Sequence, residues 1–197
     1  EDNTRQNVIN GLKVLSNEKD QIYSLTGDWS RWDETYLFVQ DKNENYIIKN
    51  LNYASISNLG VDLLIFFRED NSLKYATQIN TTAGHMESVS DRVVSQVAAI
   101  PGFFSFESIL DGKSGYILLP DGPAIITSQP IITSTYQGPS VGTLIFVKYL
   151  DNSTIQTLSG ISGLQLSLTP VISIPLKTPA SHIRDNTDSD IIVTPES

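Results

Sequence analysis

Ser140, Asp151 and His182 follow one another in the order a serine hydrolase would use, and the serine is bracketed as Gly138-Pro139-Ser140-Val141-Gly142. A nucleophile elbow of this pattern raises its serine on a tight turn between a strand and a helix, where a histidine takes the hydroxyl proton. The flanks disagree with that geometry, because turn-forming residues Tyr136 to Gly138 come before the serine and a β-rich run, Thr143 to Val147, comes after it. A glycine-bracketed hairpin loop is therefore expected, with a secreted hydrolase using Ser140 kept as the alternative from the enzyme class. Two acidic runs, Asp41-x-Asn43-x-Asn45 and Asn186-x-Asp188-x-Asp190, echo calcium loops. Tyr46 and Ile191 stand where such a loop needs glycine for its sharp turn, so neither is an EF-hand. The group Asp185, Asp188 and Asp190 is either a looser calcium site or a solvated acidic linker. His85 and His182 lack partners at ligand spacing, and the chain has no cysteine, so no metal site and no cofactor are assigned. No glycine loop of the P-loop pattern occurs, which removes nucleotide-dependent catalysis within these residues.

The stretch Asp28-Trp29-Ser30-Arg31-Trp32-Asp33-Glu34-Thr35-Tyr36 is of another kind. Two tryptophans three apart share one face of a helix, and Asp28, Asp33 and Glu34 fall at its start, where the macrodipole favours carboxylates. Either the indoles seat this helix on a sheet, or they wall a ligand cavity.

Composition narrows the classes further. Of 197 residues, 40% are hydrophobic and 18% charged, enough apolar mass for a core in one domain. Thirteen Lys and Arg against 22 Asp and Glu leave a net charge of −9. Nucleic acids and anionic membrane surfaces are bound through Lys and Arg, so that balance speaks against both as partners. The longest apolar runs, such as Leu63 to Phe67, fall far short of a membrane span. Residue 1 is Glu and the only methionine is Met86, so the sequence reads as a segment of a longer protein. Asn80-Thr81-Thr82 and Asn152-Ser153-Thr154 are glycosylation sequons, compatible with an exterior location without establishing one.

The elements that must position these residues follow from periodicity. Val8, Leu12, Leu15, Ile22, Leu25, Trp29, Trp32 and Tyr36 form one helical stripe. Gly27-Asp28 either kinks that helix or ends it and caps a second one. Ile47, Ile48 and Leu51 predict a short helix. Leu63 to Phe67 and Leu73 to Ile79 predict a hairpin, and Ser88 with Asp91 predicts a capped helix that carries Val93, Val94 and Val97 and stops before Pro101. Tyr116 to Leu119, Ala124 to Thr133 and Thr143 to Leu150 predict three consecutive antiparallel strands. The expected class is α+β, with an antiparallel sheet of about five strands and a long N-terminal helix, because the strand pairs are joined by turns too short for parallel crossovers. Three regions are expected: an N-terminal helical region (1–40), a core (41–169) and an extended, proline-punctuated tail (170–197).

Asp28-Trp29-x-x-Trp32-Asp33-x-Thr35-Tyr36, with Phe38-Val39-Gln40 and Tyr46 to Leu51, resembles the opening of a CHASE4 domain. Ser128-Gln129-Pro130-Ile131 and Gly138-Pro139-x-x-Gly142-Thr143-Leu144 through Tyr149-Leu150-Asp151 are similar to that family's later strands. The resemblance implies a PAS-like sheet of the type called PDC or Cache, serving as a non-catalytic extracytoplasmic sensor of a prokaryotic transmembrane receptor. A sensor histidine kinase of a two-component phosphorelay is the leading parent, with a diguanylate cyclase or chemoreceptor exterior as the alternative. A secreted binding or adhesion module is the rival from a different class. An unidentified small-molecule ligand is implied against one sheet face, beneath a cover drawn from Glu87 to Phe104 and Gly112 to Tyr116. Tyr75, Arg92, Tyr116, Ser128 and Tyr136 are the candidate ligand contacts. Asp28, Trp29, Trp32 and Asp33 are the candidate structural and signalling residues, with Trp29 and Trp32 passing the shift to the N-terminal helix. The implied partners are a membrane, reached through flanking helices outside this chain, and a second copy in a weak parallel homodimer. The dimer is expected along Val8, Leu12, Leu15, Ile22 and Leu25 unless these residues face the sheet.

Overall fold

The computed structural model describes residues 2–168. A long helix α1 (Asp2–Ser30) leads through a two-residue break into α2 (Asp33–Val39) and two single-turn helices, α3 (Tyr46–Asn50) and α4 (Tyr53–Ser57). Strands β1 (Leu63–Arg68), β2 (Leu73–Asn80) and β3 (His85–Glu87) precede α5 (Asp91–Ala98). Then come β4 (Lys113–Leu119), β5 (Gly122–Pro130), β6 (Gly142–Tyr149) and α6 (Asn152–Ser162). The six strands form one antiparallel sheet in the order β3-β2-β1-β6-β5-β4. The first hairpin and the last three strands thus join where β1 meets β6, with Leu64 opposite Phe146 and Arg68 opposite Gly142.

β1 and β6 are apolar at every central position because both faces of the sheet are covered. Leu64 and Phe66 of β1, with Leu144 and Phe146 of β6, face a core shared with Leu15, Ile22 and Trp29 of α1, Phe38 of α2, Tyr46 of α3, and Ile155 and Leu158 of α6. The alternate residues Leu63, Ile65, Phe67, Ile145 and Val147 face a second core closed by Val93, Val94 and Val97 of α5 and by Phe103. We refer to these as the helix face and the cover face. On the helix face Phe38 stacks on Tyr46 at 4.5 Å and meets Phe66 edge-on at 5.4 Å. Aromatic pairs of this type add about 0.5–1.5 kcal/mol beyond the burial of their area.

The apolar stripe of α1 is settled in favour of the sheet. Leu15, Ile22 and Trp29, seven residues apart, are buried against it, while Leu12 and Leu25 flank them half-buried; the Val8 side chain lies outside what the structure describes. α1 passes Gly27 without a break, so Asp28 sits in its last turn and not at a helix start. Trp29 and Trp32 belong to different elements, since Trp32 is the extended N-cap of α2, and only Asp33 and Glu34 occupy a first helical turn. The N-cap of α5 is Ser90, whose side chain accepts from the Val93 N–H, and not Ser88. β3, α4 and α6 add to the expected elements, and α3 buries Tyr46 and Leu51 while Ile48 projects into solvent. The tail 170–197, with His182, Asp185, Asp188 and Asp190, lies outside the described residues.

Candidate functional site

The cover-face core stops at the end of the sheet where Arg68, Pro130 and Gly142 close or open their strands. There a cleft of about 360 Å³ opens among three segments. The β1–β2 turn supplies Arg68, Glu69 and Asn71; the α5–β4 loop supplies Phe104, Phe106, Glu107, Ser108 and Ile109; and Pro130, Ser140, Gly142 and Thr143 form the floor. The floor comes close to β1 because residue 142 is glycine: a Cβ there would run into the Phe67 carbonyl. Phe104 is fixed edge-on against Phe67 at 4.9 Å. Arg68 is held in place by bonds to both carboxylate oxygens of Asp41, 3.2 and 3.1 Å, and to the Leu73 carbonyl, 3.3 Å. Asp41 is also bonded by Lys74, and the two cations hold its carboxyl below the usual range, Lys74 first and Arg68 second. On the helix-face side of the same turn, Arg68 and Glu69 also line a second and more open cleft with Val39, Gln40, Lys42 and Val141.

The α5–β4 loop wraps the end of the sheet and links its two faces. On the cover face, the buried Ser128 hydroxyl donates to the Phe103 carbonyl at 2.8 Å. Past the cleft, the Leu110 carbonyl accepts from Arg31 Nη2 at 3.1 Å, and the Gly112 N–H donates to the Tyr23 hydroxyl at 3.0 Å. Tyr23 lies on α1 and Arg31 just beyond its end, so the roof of the cleft is fastened to the long helix. The buried Gln129 amide lies against Gly112, with neither of its polar atoms hydrogen-bonded among the described residues. A Cβ on residue 112 would collide with that amide, and leaving such a group unpaired costs roughly 1–3 kcal/mol. Lower on α1, Thr26 bonds Thr127 of β5 across the buried interface at 2.6 Å.

The five candidate ligand contacts do not converge. Tyr75 packs edge-on to Phe38 on the helix face at 6.2 Å. Tyr116 is on the same face at the β4 edge, with the Lys19 ammonium over its ring at 5.5 Å. Arg92 is exposed on α5, and Ser128 is buried beneath the cover. Tyr136, 56% exposed in the β5–β6 loop, has the Arg31 guanidinium over its ring at 5.7 Å. None of the five lines the clefts at this end of the sheet. Ser128 comes nearest, as the anchor of the loop that roofs the first cleft. Of the residues that line the first cleft, Glu69, Phe106 and Glu107 were not singled out in the sequence, and Phe104 only as the end of the expected cover. Their one signal was three phenylalanines within Phe103-Phe104-Ser105-Phe106, a run with no strand partner.

The four structural candidates divide as well. Trp29 is buried against Phe146 and stacks on the half-exposed Trp32 with centroids 4.8 Å apart. The Asp33 carboxylate accepts from the Ser134 N–H at 2.9 Å and from its hydroxyl at 2.7 Å, and those bonds, the N–H first, lower its pKa. Asp28 lies on the exposed side of α1, in a shallow groove with Asn17, Asp20, Gln21 and Ser24. Ser140 is followed by strand β6 and not by a helix, and its hydroxyl donates to the Gly142 carbonyl at 2.8 Å. Asp151 caps α6 through the Thr154 N–H at 2.7 Å. The elbow geometry is therefore absent at Ser140. Among the described residues no group of three His, Asp or Glu side chains is placed to hold a metal. No described helix is long and apolar enough to cross a membrane.

Comparison with solved structures agrees with the two-faced sheet. The domain of a sensory box/GGDEF family protein from Vibrio parahaemolyticus superposes with a TM-score of 0.59 at 12% identity, covering 90% of this chain and 71% of that one. The extracellular domain of the histidine kinase vpHK1S-Z8 gives 0.58 at 12% identity, covering 86% and 64%. At that identity the likeness establishes the fold alone, an α+β arrangement with an antiparallel sheet and a long N-terminal helix. In sequence, the chain is 29% identical over 163 residues to the methanogenesis regulatory histidine kinase FilI of Methanothrix harundinacea (strain 6Ac), covering 83% of this chain and 18% of that protein. The chain thus spans less than a fifth of the length of that relative. The pattern of the CHASE4 domain matches residues 14–169, which takes in the buried part of α1, both cores and α6. The chain belongs to the CHASE4 domain family, the sensor domains of signalling proteins.

Proposed function

We propose that this chain is the extracytoplasmic ligand-sensing part of a transmembrane sensor histidine kinase, and that its ligand occupies the cleft between the β1–β2 turn and the Phe104–Ile109 loop. The observation that carries this reading is the double attachment of that loop. One end is bonded to the sheet through Ser128 and the other to α1 through Arg31 and Tyr23. A ligand that orders the loop pulls on both attachments, and it shifts their equilibrium only by its differential affinity for the two arrangements. This route runs through Tyr23 and Arg31, beside the stacked Trp29 and Trp32. The similarity to FilI supports a kinase parent, with the output domain and membrane helices outside this chain. A weak homodimer is proposed along the exposed row Ile9, Lys13, Asn17, Asp20 and Ser24, since the apolar stripe of α1 is spent on the sheet.

These 197 residues contain no cysteine, so a single introduced thiol tests topology once any cysteines elsewhere in the receptor are replaced. In the full-length receptor, Asn152→Cys at the exposed start of α6 is expected to react with a membrane-impermeant maleimide on intact cells. Labelling only after lysis overturns the extracytoplasmic reading.

A further inference from the structure

Resting on the reading of the cleft as the ligand site, we propose that its ligand is a small organic cation, an amine or quaternary ammonium. The charges and bonds of the lining separate the classes of ligand. Arg68, the cation in the lining, gives Nη2 to Asp41 and Nη1 to the Leu73 carbonyl. Ser140 donates to Gly142, and Ser108 accepts from the Leu110 N–H. Arg68 thus spends three bonds within the protein, while the Ser108 hydroxyl, an acceptor here, keeps its own proton for an acceptor on a ligand. Glu69, in the turn, and Glu107, in the loop, both line the cleft, and neither has a hydrogen bond or ion pair among the described residues. Arg68 shares Asp41 with Lys74, and within the lining itself two carboxylates, Glu69 and Glu107, stand against one guanidinium.

The other walls fit the same chemistry. Phe104 and Phe106 also line the cleft, and an aromatic face attracts a cation within about 6 Å of its centroid. Two carboxylates set among phenyl rings suit an ammonium with an alkyl body, which loses water on its apolar side and keeps its charge paired. A carboxylate or phosphate would meet two like charges against one guanidinium that already holds Asp41. The volume of about 360 Å³ is at the small end for ligand sites. A cation that bridges Glu69 and Glu107 also draws the loop towards the β1–β2 turn. That movement would load the Tyr23 and Arg31 attachments.

The test is an NMR titration of the 197-residue chain with two pairs of probes: choline against its uncharged carbon isostere, and putrescine against the corresponding diol. At least one cation of the two pairs is expected to bind about tenfold more tightly than its neutral counterpart. Its shifts should map to Glu69, Phe106, Glu107 and Ile109. Glu69→Gln and Glu107→Gln are each expected to weaken it about threefold, as loss of one partly exposed charge contact does. Equal affinity for the neutral probes at those residues, or unchanged affinity in both variants, overturns the cation and leaves the cleft as the ligand site. Absence of binding by all four probes, or shifts confined elsewhere, overturns the assignment of the cleft as well.

Discussion

The Tyr23 hydroxyl, on the long entry helix, accepts a hydrogen bond from the Gly112 N–H, 89 positions further along the chain, at 3.0 Å. With the Arg31 to Leu110 bond, it fastens the roof of the cleft to α1. Tyr23→Phe keeps the ring and removes the acceptor, at a cost of about 1 kcal/mol for a neutral bond. Amide exchange at residues 110–112 should then accelerate roughly fivefold, with the sheet core unchanged. In the full receptor the same variant should lower the amplitude of the ligand response more than ligand affinity. Unaltered exchange at 110–112 would show that the bond does not restrain the loop.

Gly142 sits at φ 159° with its α-carbon against the Phe67 carbonyl. Gly142→Ala forces β1 and β6 apart at the floor of the cleft and should destabilise by roughly 1–3 kcal/mol, the usual range for overpacking. The measurement is a urea melt, and a midpoint equal to that of the parent chain would contradict the close approach.

Asp151 caps α6, and its removal as Asp151→Ala should cost about 1 kcal/mol. Partial burial raises its pKa, but the Thr154 and Ser153 groups bonded to the carboxylate outweigh it, and the net shift is downward from 3.8. A lowered acid contributes stability that is present above its ordinary value and lost as pH falls through the folded one. The difference between wild type and Asp151→Ala should accordingly be constant near neutrality and shrink in acid below 3.8. A difference that persists undiminished at the acid end would exclude the charge as its source.

Asp62 has the opposite sign. Burial raises its pKa, although the Tyr149 N–H, 2.6 Å away, and Lys148 oppose the shift. Folding therefore favours its neutral form, and that contribution is whole below 3.8 and lost as pH climbs through the folded value. Asp62→Asn keeps an acceptor for Tyr149 and cannot ionise. Its melting temperature should fall less than that of wild type as pH rises from about 4 to about 7. Parallel curves for the two chains would refute the buried-carboxylate account.

Legibility in the sequence followed the physics of each element. β1, β5 and β6 announced themselves as apolar runs because two covered faces leave no polar alternation to confuse them with a helix. α6 escaped, although Asp151 at its start and the left-handed Gly163 at its end are ordinary cap residues; its buried side is only Ile155 and Leu158. Trp29 and Trp32 looked like one helical face, and their rings do stack, but the chain breaks between them to let Asp33 reach Ser134. The candidate ligand contacts were chosen by residue type on the sheet and its cover. The cleft lies where two loops meet the ends of β5 and β6, and that meeting depends on the register of β1 with β6 and on the path of residues 99–112 around the sheet, neither of which is a local property.

The adjacency of β1 and β6 also governs when the domain can fold. Leu64 finds its partner Phe146 only after 81 intervening positions have been synthesised, so the central pairing is non-local and slow to close. Until Tyr149 has emerged, the first hairpin carries the five consecutive apolar residues Leu63 to Phe67 with one flank unpaired, the type of strand from which aggregation starts. A nascent chain of this domain therefore depends on assistance or rapid completion at its centre, and truncations before β6 should be recovered as aggregate and not as a smaller folded unit.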